Sequence, residues 1–423
     1  MLALTGAGFA ILVTLGVPIA MVLLALSLMW VASDPSVMDV AFAQRIIAGT
    51  QSFPLLAVPL FILTGELMNI SGITRRVMDF AMLLTRPLSG GLAKTNVLLS
   101  TLLAGMSGSA NGDAAMQSKI LVPEMVRRGY PAPFSAAITA SSALIAPLIP
   151  PGISLILFGF VTDTSIGRLF LGAVLPGFVL AAALMAVVHV MARRAGWDPA
   201  RQRTVDTPPL LPALLGALPA ILMPVLIVVG IRGGVFTPSE AGGVAVAYTT
   251  LFMLVYREAT WAAVWQALRN TVVTTSAILL VLAVSAAFTW ILTFERIPQA
   301  VGEALLSTTA SPTMMLVLIS LILLIAGMLV EGTALILILA PMFMPVATAL
   351  GIDPVHFGIV FVFMIHLGGI TPPVGTVMFT TCAATGVPLT RFARAVVPFL
   401  FAFLAVALLL ILVPAISTIL GRL

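Results

Sequence analysis

The sequence predicts an all-α polytopic membrane protein. Of its 423 residues 61% are hydrophobic and only 8% are charged, whereas an ordinary soluble domain has about 25% charged residues. So few charges cannot cover a water-soluble globule of this size, and a disordered chain would be polar and charged. The apolar stretches are long and do not alternate with polar residues, which indicates helices in a lipid bilayer and not a barrel. A span with its loop takes roughly 30–40 residues, which allows about 10–13 membrane-crossing elements.

The apolar segments follow one another along the chain, and several are too short to cross about 30 Å of hydrocarbon alone. The first segment, residues 4–31, has no Lys or Arg before it. We therefore expect it to be retained in the membrane and not to serve as a signal peptide, either as one span kinked near residues 16–18 or as two short spans. The other segments are 54–70, 92–106, 114–126, 134–149, 152–161, 169–192, 209–230, 238–256, 272–294, 313–330, 333–349, 355–371, 374–384 and 395–420.

Basic residues cluster in short groups between apolar segments, as the positive-inside rule requires of cytoplasmic loops. This placement accounts for the net charge of +5 without a nucleic-acid partner. The groups are Arg75, Arg76, Arg86 and Lys94; Arg127 and Arg128; Arg193, Arg194, Arg201 and Arg203; and Arg391 and Arg394.

Residues 92–128 are predicted to form a re-entrant helical hairpin. Lys94 and Arg127 bracket this stretch, so both of its ends face the cytoplasm. The distance from Lys94 to Ser107 is 13 residues, or about 20 Å of helix, which reaches only the middle of the membrane. The polar, glycine-rich residues 105–113 would then form a tip at the bilayer midplane.

The sequence matches itself at a constant offset of 222 residues (328 − 106 = 222). Residues 71–128 carry seven Lys and Arg side chains, whereas residues 297–390, which cover the matching part of the second copy, carry none. The two copies should therefore face opposite sides of the membrane, and such an inverted-topology repeat is typical of secondary transporters with a midplane binding site. The matching residues are Gly105-Met106 with Gly327-Met328, Pro123 with Pro345, Gly129 with Gly351, and Pro150-Pro151 with Pro372-Pro373.

This repeat divides the chain into four parts. The parts are an N-terminal scaffold with an external loop (1–53), a first repeat (54–204) with hairpin 92–128 and broken helix 134–161, scaffold helices (205–260), and a second repeat (261–423) with hairpin 313–350 and broken helix 355–384.

Both hairpin tips carry oxygen donors that could bind a cation. The first tip offers Ser107, Ser109, Asn111 and Asp113, which are hard ligands suited to Na⁺, and a carboxylate at membrane depth is costly unless it meets an ion, a proton or a partner. The second tip offers Glu331 and Thr333. For both tips the alternative is a residue that caps its own helix or is stabilised by the helix dipole.

Two proline pairs, Pro150-Pro151 and Pro372-Pro373, each interrupt an apolar stretch. Proline removes a backbone donor and disfavours helix in the preceding residue, so we expect broken helices there, the alternative being a simple kink. Ser141, Ser142, Gly368 and Thr371 lie just before the breaks. Unwound carbonyls at such breaks can bind ions, and we expect one cation site per repeat, formed by a tip and its nearby break.

Three other polar residues in or directly beside the apolar segments are expected outside the site. Glu66 and Glu295 occupy equivalent ends of spans, so we expect both at the membrane interface. His366 has no metal-ligand spacing around it, and we expect a packed helix residue. Because the chain has no G-x-x-x-x-G-K-[ST] pattern, it should not itself hydrolyse ATP.

These motifs resemble the large membrane subunit of the tripartite ATP-independent periplasmic (TRAP) transporters. The resembling stretches are 54–68, 107–110 with Asp113, 149–152, 236–241, 351–358 and 369–375. The chain departs from the family pattern at Glu331, where Asp is common, and at Gly152, where Ser is frequent.

The resemblance implies an elevator-type, Na⁺-coupled importer of the bacterial inner membrane. It also implies two partners, a small four-helix membrane subunit and a soluble periplasmic binding protein, and an organic acid such as a C4-dicarboxylate or sialic acid as substrate. Two other functions stay open at this stage: a self-sufficient ion-coupled anion permease without a binding protein, and an integral-membrane enzyme, which should show a carboxylate-rich metal motif.

Overall fold

The computed structural model describes residues 2–33, 39–197 and 209–422. Every regular element in these ranges is a helix, so the all-α prediction is confirmed. Arg201 and Arg203 of the third basic group lie outside the described residues. In the described part, seven helical stretches have the length and apolar composition needed to cross a membrane. They are Phe53–Ile70, Ile166–Ala195, Leu210–Arg232, Trp261–Phe294, Pro312–Leu329, Gly332–Ala349 and Leu389–Leu412.

The N-terminal apolar segment forms two short helices, α1 (Leu2–Thr14) and α2 (Ile19–Ser33), that fold back on each other. The indole Nε1 of Trp30 donates a hydrogen bond to Thr5 Oγ1 at 2.7 Å, which joins the far ends of the two helices. Gly16 permits the reversal because it adopts a left-handed conformation with φ of 77°, which glycine reaches without steric cost. Of the two readings left open by the sequence, the structure therefore has the two short helices.

The first half of the molecule continues with a helical hairpin and an interrupted helix. Helix α6 packs against α7, and Gln117 Nε2 donates to Ser100 Oγ at 2.9 Å across the hairpin. Residues 144–152 interrupt the following helix between α8 and α9. The helices are α3 (Asp39–Ala48), α4 (Ala57–Ile70), α5 (Ile73–Thr85), α6 (Gly91–Ser107), α7 (Ala110–Arg127), α8 (Ala132–Ala143), α9 (Ile153–Val161) and α10 (Ile166–Ala195).

The second half repeats this order of elements: a helix, a short amphipathic helix, a hairpin, an interrupted helix and a long helix. Their relative inversion across the membrane stays a prediction. Two connecting helices, α11 (Leu210–Arg232) and α12 (Pro238–Tyr256), come first. The others are α13 (Trp261–Phe294), α14 (Ile297–Thr308), α15 (Pro312–Leu329), α16 (Gly332–Ala349), α17 (Pro354–Ile370), α18 (Thr376–Thr385), α19 (Leu389–Leu412) and α20 (Ala415–Arg422).

The two halves interlock at the centre of the molecule. Helix α9 packs against α16, and α18 packs against α7, so each half lays the end of its interrupted helix on the other half's hairpin. The rings of Phe158 on α9 and Phe361 on α17 also meet, with centroids 5.3 Å apart. Both hairpin tips therefore belong to one packed body.

Three amphipathic helices, α3, α5 and α14, are missing from the apolar segments that the sequence predicts. Each carries polar and charged residues on one face, such as Arg75 and Asp79 on α5. A search for continuous apolar runs does not find such helices, because only a stripe of their surface is buried.

Candidate functional site

The two hairpin tips meet in one cavity of about 360 Å³. The segments between α6 and α7 and between α15 and α16 reach it from the two halves, and the N-terminal ends of α9 and α18 also line it. The lining residues of these elements are Gly108, Ser109, Ala110, Asn111, Gly112, Asp113 and Met116; Gly327, Val330, Glu331, Gly332 and Thr333; and Ile153, Ser154, Thr376 and Val377.

The polar residues of the first tip lie at the N-terminal end of α7. Ser109 is the N-cap residue, and its Oγ accepts a hydrogen bond from the Gly112 amide at 3.3 Å. Asp113 lies in the first turn of the same helix and is only 2% exposed; there the helix dipole favours its negative charge. Asn111 Oδ1 accepts a hydrogen bond from Thr380 Oγ1 of α18 at 3.4 Å, which ties the tip to the other half.

The second tip carries a carboxylate that caps its own helix. Glu331 is the N-cap residue of α16, and its Oε2 accepts hydrogen bonds from the amides of Thr333 (2.9 Å) and Ala334 (3.4 Å). The Thr333 hydroxyl donates to Glu331 Oε1 at 2.9 Å. The capping alternative from the sequence is therefore what the structure shows, and the same carboxylate lines the cavity.

Each tip packs on the helix break of its own half. A Cβ atom at Gly327 would lie 2.5 Å from the carbonyl oxygen of Ile365, and one at Gly368 would lie 2.5 Å from the Cα of Gly327. In the first half, a Cβ at Gly108 would lie 2.7 Å from the Pro151 carbonyl oxygen. Only glycine allows backbones to approach so closely.

The remaining predicted site residues are not among the described lining of the cavity. Ser142 donates to Asn96 Oδ1 at 3.0 Å and so joins α8 to α6. The buried Ser141 hydroxyl has no hydrogen-bond partner in the described structure, and Thr371 donates to the Leu367 carbonyl oxygen. The prolines Pro150, Pro151, Pro372 and Pro373 fall in the non-helical segments between α8 and α9 and between α17 and α18. The side chain of Ser107 lies outside the described residues.

Sequence reasoning missed a further wall of the cavity, formed by α4 and α13. Glu66 lies inside α4 and lines the cavity together with Asn69 and Thr274, whereas the sequence led us to expect it outside the site; its position at the membrane interface, equivalent to that of Glu295, stays a prediction. The signal available in the sequence was an ionisable residue inside an apolar run, which is expensive in a membrane unless it has a function.

His366 also lines the cavity, where the sequence suggested a merely packed residue. Its Nδ1 lies 2.7 Å from the Val362 carbonyl oxygen, so Nδ1 carries the proton and donates there. Nε2 is then the acceptor for the Ser154 hydroxyl at 3.1 Å. This bond joins α9 of the first half to α17 of the second half.

The cavity is lined by oxygen atoms that can act as cation ligands, and carboxylates are among them. Three carboxylates, Glu66, Asp113 and Glu331, line it with hydroxyl and amide groups, and the described lining contains no Lys or Arg. Such hard oxygen ligands suit alkali and alkaline-earth cations. An anion can enter this cavity favourably only when cations or protons offset the charge of the carboxylates.

Comparison with known proteins gives one consistent family. Residues 7–416 match the model of the DctM component of the tripartite ATP-independent periplasmic transporters. The chain is 37% identical to the sialic acid TRAP transporter large permease protein SiaM of Vibrio cholerae over 90% of this chain and 89% of that protein. It is 38% identical to the C4-dicarboxylate TRAP transporter large permease protein DctM of Pseudomonas aeruginosa over 89% and 88%, respectively.

A solved structure shares the fold at low sequence identity. The YdaH transporter of Alcanivorax borkumensis superposes with a TM-score of 0.62 over 88% of this chain and 87% of that chain, at 15% identity. At this identity the likeness concerns the fold alone.

Proposed function

Because this chain belongs to the DctM family, the large permease components of the tripartite ATP-independent periplasmic transporters, we propose that it imports an organic acid by Na⁺-coupled symport. Names of relatives point to acids: one permease is named for sialic acid and another for C4-dicarboxylates. The observation that carries the proposal is the cavity in which the tips of both halves meet.

Na⁺ would bind at each tip and its break. The first site would draw on Ser109, Asn111 and Asp113, and the second on Glu331 and Thr333, all of which line the cavity. Cations there would offset the tip carboxylates, and each Na⁺ would also offer a ligand position to the substrate's own carboxylate. Substrate and cations would then bind cooperatively, which is how a Na⁺ gradient drives uptake.

The translocation step would move the cavity as a body. Helices α9 and α18 each lie on the hairpin of the other half, and the bond between Ser154 and His366 also crosses between halves. These contacts support an elevator in which the hairpins and interrupted helices travel together. Cations that offset the carboxylates would lower the cost of carrying charge past the membrane interior.

The family works with a small membrane subunit and a periplasmic binding protein, and we propose both as partners of this chain, in the inner membrane of a bacterium. The self-sufficient permease is not favoured, because the relatives are named as parts of a tripartite system. An enzyme is not favoured either, since the relatives are named as transport permeases.

Reconstitution tests this function. The large and small subunits are placed in proteoliposomes, and uptake of the acid carried by the cognate binding protein is followed under a Na⁺ gradient. We expect uptake to fall by at least about tenfold when Na⁺ is replaced by K⁺, and to stop when the binding protein is left out. Undiminished uptake in K⁺ would contradict Na⁺ coupling, and uptake without the binding protein would establish the self-sufficient permease.

A further inference from the structure

A cluster of positive charge lies outside the cavity, where the start of α6 meets the end of α10. We propose that Lys94, His189 and Arg193 form a binding site for the phosphate of an anionic phospholipid. The proposed transport of an acid makes no use of these three residues.

The start of α6 packs directly against the last turns of α10. A Cβ atom at Gly90 would lie 2.6 Å from the Cβ of Ala192 and 3.3 Å from Cγ1 of Val188. Beside this contact Lys94 is only 5% exposed, and its Nζ lies 3.0 Å from His189 Nδ1. The packing therefore places a buried ammonium group between the two helices.

The hydrogen bond with Lys94 determines which nitrogen of His189 is free for a ligand. An ammonium group only donates, so Nδ1 accepts from it and the proton of the neutral ring is on Nε2. No described residue accepts a hydrogen bond from Nε2, and His189 is partly exposed. The structure thus presents an N–H donor on the far side of the ring from Lys94, with the ammonium charge behind it.

Arg193 adds a second positive charge at the same place. It follows His189 by four residues, so the two side chains lie on one face of α10, and its charge acts on both Lys94 and His189. No carboxylate of the described residues lies within 4.0 Å of Lys94 or Arg193. Because a buried charge beside another of the same sign is costly, the cluster is stabilised by an anion.

The surroundings favour a lipid over a soluble anion. Ala182 and Ala186 precede His189 and Arg193 by seven residues each, which is about two helical turns, so they lie on the same face of α10. Both alanines are exposed, and so is Phe178 one turn before them. An acyl chain can lie along this apolar stripe while the phosphate accepts hydrogen bonds from His189 Nε2 and Arg193.

The predicted orientation agrees with such a ligand. The basic residues near both helix ends place this region on the cytoplasmic side. Basic pockets between helices on that side of a membrane protein bind anionic headgroups.

Lipid binding to the complex of large and small subunits tests the proposal. The complex in detergent is titrated with dioleoylphosphatidylglycerol, which is anionic, or with dioleoylphosphatidylcholine, which is zwitterionic, and native mass spectrometry counts the bound lipid. We expect the wild type to bind phosphatidylglycerol at least about tenfold more tightly. Arg193→Gln and Lys94→Met should each weaken this binding by about fivefold or more and leave phosphatidylcholine binding unchanged. Because Arg193 is exposed, its variant tests the site even if the buried Lys94→Met misfolds.

The matched control is Arg194→Gln. Arg194 is also exposed, but it projects from α10 about 100° away from Arg193, and its variant should bind phosphatidylglycerol like the wild type. Equal losses in Arg193→Gln and Arg194→Gln would show attraction to diffuse surface charge and overturn the inference. Equal affinity of the wild type for the two lipids would also overturn it. Glycerol phosphate, which has no acyl chains, should not displace the lipid; displacement would indicate a site for soluble phosphates and contradict the lipid assignment.

Discussion

Replacing Gly327 or Gly368 by alanine is expected to abolish Na⁺-driven uptake while the chain still inserts into the membrane. A Cβ at either position would lie 2.5 Å from backbone atoms of the opposing segment, and backbone cannot move aside as a flexible side chain can. The second tip would be pushed off its break, and Glu331 and Thr333 would be displaced from the cavity. Uptake by the reconstituted complex, compared with the amount of protein in the membrane, measures the effect.

The matched control for this prediction is Gly243→Ala in α12. A Cβ at Gly243 would meet no atom within 4 Å, and alanine is a better helix former than glycine. Uptake by this variant should equal that of the wild type. Normal uptake by both Gly327→Ala and Gly368→Ala would show that close contact between the second tip and its break is not needed for transport.

The second large effect is expected from Asp113→Asn. Asp113 is 2% exposed, lines the cavity and lies at the start of α7. The asparagine has nearly the same shape but no charge, so it should weaken Na⁺ binding by about tenfold or more, which corresponds to about 1.4 kcal/mol of binding free energy. The Na⁺ concentration that gives half-maximal uptake measures this change.

The control for the charge is Asp79→Asn, because Asp79 is an exposed residue of α5 away from the cavity. It should leave the Na⁺ dependence unchanged. If Asp113→Asn transports with wild-type Na⁺ dependence, the carboxylate of the first tip is not part of a cation site, and the proposed use of Ser109 and Asn111 beside it loses its support.

The sequence indicates the hairpins and helix breaks well because their signals are local. Gly108, with a left-handed φ of 56°, ends α6, and the two proline pairs lie in the non-helical segments, as the local properties of these residues predict. Helices α6, α7, α15 and α16 accordingly begin and end within a few residues of the apolar segments.

The parts that sequence reasoning missed depend on contacts between distant segments. Glu66 becomes a cavity residue because α13 brings Asn270 and Thr274 beside it. Asn270, which donates a hydrogen bond to Glu66, lies 204 residues further along the chain. His366 likewise acquires its place through Ser154 of the other half. Ser142 lies near a break in the sequence, yet its hydroxyl is used to join α8 to α6.

Cysteine labelling at the two tips tests most directly whether they share one cavity that binds Na⁺. The only native cysteine, Cys382, is buried and can be replaced by alanine. In that background Ser109→Cys and Thr333→Cys each receive an impermeant maleimide from one side of sealed vesicles, in NaCl and in KCl. We predict that both cysteines react from the same side and that Na⁺ slows both reactions. Labelling of the two cysteines from opposite sides, with no effect of Na⁺, would contradict the account.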